Sequence, residues 1–200
     1  MFFLTLISST LAAPPGMVDI RSVAPTVHVQ IRYATPDNFL GEAFYKDATC
    51  YLTPQTADKV SRAEQLVSAF GYRLLLWDCT RDTAYQGRMW DSCVEHHGQD
   101  HCSGLVANPN RSLSHHTFGT TIDVGLVNRD GTAVELPSKY DSGLFLTDTP
   151  ADKQAARPPK DSVKPALWSD ASWDAYRVLQ YAMIVSGFTG ISSEWWHWES

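Results

Sequence analysis

The 200-residue chain lacks an excess of basic residues, runs of like charge and internal repeats. Its 16 Lys and Arg residues stand against 22 Asp and Glu residues, which gives a formal net charge of -6. Nucleic-acid binding depends on basic side chains that contact phosphates, so this composition argues against a nucleic-acid partner. No apolar stretch approaches the roughly 20 residues that a membrane-spanning helix needs, so we expect no integral membrane segment.

Apolar residues make up 44% of the chain, which is enough for a sizeable core at this length. We expect one domain over residues 17–200. The oligomeric state leaves no signal in the sequence.

The first residues form a short apolar run followed by small residues, and Pro14, Pro15 and Gly16 come next. This order is typical of a secretory leader, although the usual basic start is missing. We therefore expect a signal peptide over residues 1–13 and a periplasmic or secreted protein. The alternative is an ordinary buried N-terminal segment and a cytoplasmic protein.

Four cysteines, Cys50, Cys79, Cys93 and Cys102, bear on the same question. An even number of cysteines in an exported protein favours disulfides, but four cysteines allow three pairings. Cys93 and Cys102 bracket a short polar loop and could close it. Cys50 and Cys79 could form a second bridge or remain buried thiols.

Hydrophobic periodicity predicts both helices and strands. Helices are predicted at residues 54–70, 82–90 and 170–186. Strands are predicted at residues 27–33, 72–77 and 120–127, in a short segment after a turn at 128–131, and in a closing segment at 194–198. Residues 137–168 are predicted to be a loop. This order indicates an α+β fold in one domain, with a central, mainly antiparallel sheet flanked by helices.

Two fragments far apart in the chain carry residues that suit a metal-dependent hydrolase. Catalytic zinc takes three nitrogen or oxygen ligands from the protein and leaves one position for water. His116, Asp123 and His197 could supply those ligands, and Glu194 could move a proton as general base. His115 competes with His116 for the same role. We expect one zinc ion per chain, held on the sheet.

The alternation of the predicted strand 120–127 supports this placement of Asp123. Ile122 and Val124 point to one face, so Asp123 points to the other and can reach a site. Gly119 would let the chain bend between the first two candidate ligands.

A second cluster could also hold a metal, because its residue types suit structural zinc. Its members are Cys93, His96, His97, His101 and Cys102. Structural zinc sites usually use ligand pairs that flank a longer loop. We therefore favour a surface loop closed by a disulfide.

Arg81 follows the predicted buried strand at residues 72–77. A guanidinium fixed at a strand end could stabilise the oxyanion that forms during amide hydrolysis. The alternative is a surface arginine that pairs with Asp82.

Taken together, these segments resemble the VanX-type D-alanyl-D-alanine dipeptidases, zinc enzymes of peptidase family M15. The resemblance covers nearly the whole chain after the leader. It rests on residues 33–41, on residues 74–78 leading to Arg81, on Ser114-x-His116-x-x-Gly119-x-x-x-Asp123, and on Glu194-Trp195-Trp196-His197.

The resemblance implies hydrolysis of the dipeptide D-Ala-D-Ala. It assigns His116, Asp123 and His197 as zinc ligands, which leaves His115 outside the ligand set. It also assigns Glu194 as general base and Arg81 as the group that stabilises the transition state.

The resemblance further implies that Ser114 and Asp141 bind substrate, with the Asp141 carboxylate holding the substrate ammonium. A small, closed pocket would select a free dipeptide over a chain end whose amine is acylated. Thr121 and Asp82 depart from the family, which usually has alanine and proline there. The alternatives are a D,D-carboxypeptidase or endopeptidase acting on peptidoglycan peptides, and a non-catalytic zinc-binding module.

Overall fold

The computed structural model describes residues 13–103 and 105–200, so the expected leader lies outside the described residues except for Ala13. The strands are β1 (Val18–Asp19), β2 (His28–Val29), β3 (Tyr51–Leu52), β4 (Tyr72–Asp78), β5 (Thr121–Asn128), β6 (Thr189–Gly190) and β7 (His197–Glu199). The helices are α1 (Pro54–Ala69), α2 (Thr83–His97), α3 (Gln99–Cys102), α4 (Pro150–Ala155) and α5 (Asp170–Val185). Short 3-10 turns occupy Ile20–Ser22, Arg32–Ala34 and His115–Phe118.

A five-stranded sheet in the order β2-β4-β5-β7-β6 forms the centre of the molecule. Its pairs are antiparallel except for β2 with β4. Strands β1 and β3 form a separate antiparallel pair. The expected α+β fold with a mainly antiparallel sheet is confirmed.

Helices α1 and α5 contact each other and lie against β4 and β5. Helix α1 begins where the Thr53 hydroxyl accepts a hydrogen bond from the Thr56 amide at 3.2 Å, as an N-cap does. The core includes Leu74 and Leu76 of β4 and Ile122 of β5, all without exposed surface. Burial of each such side chain stabilises the fold by about 1.5–3 kcal/mol, and this packing fixes the two strands that lead to the site.

Helix α2 is longer than predicted and continues to His97, so the expected loop between Cys93 and Cys102 is mostly helical. The Asp82 carboxylate caps its start by accepting from the Ala84 amide at 2.6 Å. Gly98, with φ of 80°, ends it and starts α3. Glu95 and His96, which follow Cys93 in α2, are exposed, so no apolar spacing in this segment indicated a helix.

The prediction of a strand over residues 27–33 was wrong in its length, because only His28 and Val29 pair with β4. Beyond them the chain turns at Arg32–Ala34, where the Tyr33 carbonyl accepts hydrogen bonds from the amides of Phe44 and Tyr45. The segment after the turn at 128–131 also forms no strand; it makes a single bridge between Val127 and Ala133.

The predicted loop at residues 137–168 contains the short helix α4. Thr149 and Asp152 form a reciprocal capping box at its start. The closing strand is shorter than predicted, since β7 begins at His197 and Glu194 lies in the turn before it.

The cysteines pair as Cys50–Cys79 and Cys93–Cys102. The first bridge joins the start of β3 to the end of β4, and the second joins α2 to α3. No helix in the described part of the chain combines the length and the apolar character needed to cross a membrane.

Candidate active site

Strands β5 and β7 bring the two separated fragments together. Asp123 and His197 are direct partners in the antiparallel register, so their side chains emerge side by side. Asp123 Oδ1 lies 3.1 Å from His197 Nδ1.

The turn before β5 supplies the third group. The Ser114 hydroxyl caps this turn by accepting from the His116 amide at 3.3 Å, and Gly119 ends it with φ of 67°. His116 Nδ1 lies 2.8 Å from the Cys79 carbonyl, which can only accept, so Nδ1 carries the hydrogen. His116 Nε2 therefore presents its lone pair, and it lies 3.4 Å from Asp123 Oδ1.

These three residues fit a divalent metal. Their ligand atoms all lie within 4.8 Å of one another, and the three side chains are buried. Asp123 Oδ1 is buried, and two imidazole nitrogens face it, His197 Nδ1 at 3.1 Å and His116 Nε2 at 3.4 Å. Two nitrogens and one carboxylate oxygen are a usual ligand set for catalytic zinc.

The electrostatics of Asp123 agree with this fit. Burial raises the pKa of Asp123, but the charges and hydrogen bonds of His116 and His197 outweigh burial and hold it well below its usual value. The carboxylate is therefore ionised, as a metal ligand must be. His115 is not in this group, since its side chain points outward with 65% exposure and contacts Glu199.

Glu194 lies beside the ligands, with Oε2 3.8 Å from His197 Nδ1. Burial is the main cause that raises its pKa, and the charge of Asp123 raises it further. A carboxylate with a raised pKa is suited to exchange protons near neutral pH.

Arg81 is buried, with 8% exposure, at the end of β4. Its guanidinium donates to Asp78 Oδ2 at 2.5 Å, to Gln86 Oε1 at 3.1 Å and to the Tyr45 hydroxyl at 3.1 Å. These three bonds fix its orientation. The alternative of a surface arginine paired with Asp82 is wrong, because Asp82 caps α2 instead.

One cavity of about 590 Å³ is lined by all the site residues that were predicted from the sequence. Its lining includes Arg81, Ser114, His116, Asp123, Asp141, Glu194 and His197. This volume lies within the usual range for ligand pockets. A cavity of about 640 Å³ lies beyond Asp141 and contains none of the three ligand candidates.

Asp141 is buried and has φ of 60°, a conformation that non-glycine residues rarely adopt. The Tyr33 hydroxyl donates to its Oδ2 at 3.1 Å. Burial raises the pKa of Asp141 well above its usual value, and the charges of Asp123 and Glu194 add to this effect. A cation placed next to Asp141 would favour its ionised form.

The second cluster considered for metal does not offer the expected ligands. Cys93 and Cys102 bind each other, so their sulfurs are not thiolates. Among the described residues, groups of three ligands form only around the active-site cavity, and none includes His96, His97 or His101.

The chain is similar to known peptidases over most of its length. The sequence model of peptidase family M15, described as D-Ala-D-Ala dipeptidase, matches residues 14–200. The chain belongs to this family. It is 27% identical over 183 residues to a D-alanyl-D-alanine dipeptidase of Escherichia coli (strain K12), covering 92% of this chain and 83% of the relative. It is 26% identical over 196 residues to a D-alanyl-D-alanine dipeptidase of Enterococcus faecium, covering 92% and 90%.

Two solved structures are also similar to this member of the M15 family. One is the LdcB LD-carboxypeptidase, with a TM-score of 0.46, 16% identity, and coverage of 94% of this chain and 69% of the other. The other is the vancomycin resistance D,D-dipeptidase VanXYg in complex with a D-Ala-D-Ala phosphinate analogue, with a TM-score of 0.45, 18% identity, and coverage of 92% and 65%.

The chain is thus a metallopeptidase of the M15 family, and the predicted recognition and enzyme class are confirmed. The two residues that depart from the usual family pattern, Asp82 and Thr121, do not displace the side chains that line the cavity. Asp82 serves as a helix cap, and Thr121 is buried opposite Glu199 in the β5–β7 register.

Several groups that support the site were missed in the sequence. The Tyr140 hydroxyl donates to Asp123 Oδ2 at 2.8 Å, and the Cys79 carbonyl orients His116. Asp78 orients Arg81. Tyr140 stands directly before Asp141 in the chain, and a buried tyrosine hydroxyl usually has a hydrogen-bond partner.

Proposed function

We propose that this metallopeptidase hydrolyses D-alanyl-D-alanine with one zinc ion held by His116, Asp123 and His197. The observation that carries the proposal is that these three groups share one cavity with Glu194. Binding zinc alone would need neither Glu194 nor the oriented Arg81. Both therefore favour a catalytic site over a non-catalytic zinc-binding module.

When bound, zinc supplies Lewis-acid polarisation of a carbonyl and makes water acidic enough to be a nucleophile near neutral pH. Glu194 takes a proton from the attacking water as the new C–O bond forms. The same carboxyl then gives that proton to the leaving amine as the C–N bond breaks. The Arg81 guanidinium, held by its three hydrogen bonds, stabilises the negative charge that develops on the carbonyl oxygen.

The ends of the substrate are assigned to Asp141 and Ser114. A free dipeptide carries an ammonium, and this cation would pair with the Asp141 carboxylate that burial otherwise disfavours. The Ser114 hydroxyl lies at the same cavity and can hydrogen-bond the dipeptide. An acylated chain end lacks the ammonium and would leave Asp141 without that partner.

A zinc-dependent hydrolysis assay over D,D-dipeptides and acylated peptides tests the substrate. We expect the free dipeptide to be cleaved faster, and cleavage mainly of the acylated peptide would refute this substrate. Glu194→Gln is expected to keep zinc but to lower kcat by at least 100-fold, within the usual range for general-base loss. Glu95→Gln, an exposed change on α2, is the matched control and should leave kcat unchanged.

His116→Ala tests the metal assignment separately. It removes one of three ligands, so we expect the purified protein to lose its zinc. Retention of zinc at full stoichiometry would refute this ligand set, whatever the activity.

A second candidate function is a D,D-carboxypeptidase or endopeptidase that acts on peptidoglycan peptides. The cavity of about 590 Å³ favours it, because this space could admit a longer peptide. The same assay separates the two functions, since this enzyme would prefer the acylated peptide.

We also propose that the protein works in the periplasm or after secretion. The two disulfides support this, because such bonds persist in oxidising compartments. An exported dipeptidase would recycle wall fragments rather than deplete precursors in the cytoplasm. Cell fractionation with thiol alkylation tests the location; reduced protein in the cytoplasmic fraction would refute it.

A further inference from the structure

His115, the histidine left out of the ligand set, has a specific partner. Its Nδ1 contacts Oε1 of Glu199, a residue near the end of the chain. The same oxygen lies 3.4 Å from Nε2 of His197. One carboxylate oxygen therefore faces the outer nitrogen of a candidate ligand on one side and His115 on the other.

The fold fixes Glu199 in this place. Glu199 follows His197 by two residues in β7, so both side chains emerge on the same face of the strand. Strand β7 lies inside the sheet, where Glu199 is paired with Thr121 on one side and with Thr189 on the other. The next amide, of Ser200, donates to the Thr120 carbonyl at 2.8 Å. The backbone that carries the carboxylate is thus held on both sides.

The chemistry of imidazole gives this contact a consequence. A carboxylate only accepts hydrogen bonds, so the nitrogens that face Glu199 must carry hydrogen. In the neutral imidazole that metal binding requires, this places the hydrogen of His197 on Nε2 and leaves the lone pair on Nδ1, which faces Asp123 Oδ1 at 3.1 Å. His116 has the equivalent arrangement through the Cys79 carbonyl. Outer partners of this kind orient metal-binding histidines and raise their basicity.

We propose that Glu199 is a positioning residue for His197, and that His115 holds the Glu199 carboxylate in place. This inference rests on the metal site proposed above. It concerns metal affinity and imidazole orientation, and Glu199 acts only through His197.

The test compares zinc dissociation constants, measured by chelator competition, for the wild type and four variants. The variants are Glu199→Gln, His115→Gln, their double mutant and the exposed control Glu95→Gln. We expect Glu199→Gln to weaken zinc binding by about 10–100-fold, the usual effect of losing an outer partner. His115→Gln should weaken binding less. The double mutant should bind zinc no more weakly than Glu199→Gln alone, because His115 acts through Glu199.

A second measurement separates positioning from general stability. In the zinc-loaded protein, where the bound imidazole is neutral, ¹⁵N NMR is expected to show zinc on Nδ1 and hydrogen on Nε2 of His197 in the wild type, and a mixture of the two tautomers in Glu199→Gln. The Glu199→Asp variant keeps a carboxylate and should recover part of the zinc affinity. The control Glu95→Gln should leave both the affinity and the tautomer unchanged.

Three results would overturn the inference. A zinc dissociation constant in Glu199→Gln within twofold of the wild type would show that Glu199 does not position His197. Two zinc ions in the wild type and one in Glu199→Gln would show instead that His115, His197 and Glu199, whose ligand atoms also lie within 4.8 Å, bind a second ion. Wild-type zinc binding that His116→Ala does not reduce would overturn the proposed metal site as well.

Discussion

The Cys50–Cys79 disulfide is expected to stabilise both the fold and the metal site, and the other disulfide provides a matched comparison. The two bridges span 29 and 9 residues, respectively. By the loss of chain entropy on loop closure, removing them lowers the free energy of unfolding by about 3.5 and about 2.5 kcal/mol. All four cysteines are buried to the same extent, so replacement by alanine disturbs the packing similarly in both pairs.

Removal of one disulfide or the other should change zinc affinity to very different extents, whereas the two losses of stability should be more similar. The Cys79 carbonyl accepts the hydrogen bond that orients His116, so loss of its bridge to Cys50 frees an outer partner of a candidate ligand. We expect Cys50→Ala/Cys79→Ala to weaken zinc binding by about tenfold, the lower end of the range for such partners. The bridge from Cys93 to Cys102 joins helices that carry no candidate ligand, so its removal should leave zinc affinity unchanged.

Urea unfolding of the metal-free variants measures the stability, and chelator competition measures the zinc affinity. Equal losses of zinc affinity in the two double mutants would refute the link between Cys79 and the metal site. A larger loss of stability from removal of the shorter bridge would refute the loop-closure reasoning.

Two further predictions concern pH and packing. In the metal-free protein, burial alone lowers the pKa of His197, but its hydrogen bond to a carboxylate and nearby charges raise it from 6.5 to about 9. Protonated His197 therefore stabilises the fold fully below pH 6.5, and about 3 kcal/mol of this contribution is lost as the pH rises through 9. Urea unfolding of the wild type and of His197→Gln at a series of pH values measures this loss. Equal pH profiles for the two proteins would contradict the prediction. At Gly125 an added Cβ would lie 2.3 Å from Trp77 Cη2, so Gly125→Ala should lower the free energy of unfolding by about 1–3 kcal/mol. Gly87→Ala in α2 meets open space and should raise it by about 0.5–1 kcal/mol, and thermal unfolding that ranks the two variants the other way would refute this reasoning.

Sequence patterns predicted the elements that have strong local signals. The helical spacing after Thr53 and the apolar run from Tyr72 located α1 and β4 to within a residue or so. The length of β2 was overestimated. The alternating pattern continues beyond the residues that pair, and only tertiary contacts decide where the pairing ends. The extent of α2 was underestimated, because polar residues on an exposed helix face resemble a loop.

The candidate ligands were also predicted from the sequence, whereas their supporting groups were not. His116 and His197 stand in recognisable spacings with acidic residues. The Cys79 carbonyl is a backbone group, so no side chain marks it in the sequence. Tyr140 reaches Asp123, and Glu199 reaches His115, through long-range contacts, which local patterns do not encode.

The tryptophans around His197 explain how so short a strand places this candidate ligand accurately. A slip of one residue in the β5–β7 pairing would turn His197 away from Asp123 and bring a tryptophan to the site. Trp195, Trp196 and Trp198 are all buried, and Trp195 Nε1 also donates to Ser138 Oγ at 2.9 Å. Side chains of this size fill their spaces in one register only, so any slip would open cavities and create clashes. The segment that carries Glu194 and His197 therefore also carries the packing that fixes its register.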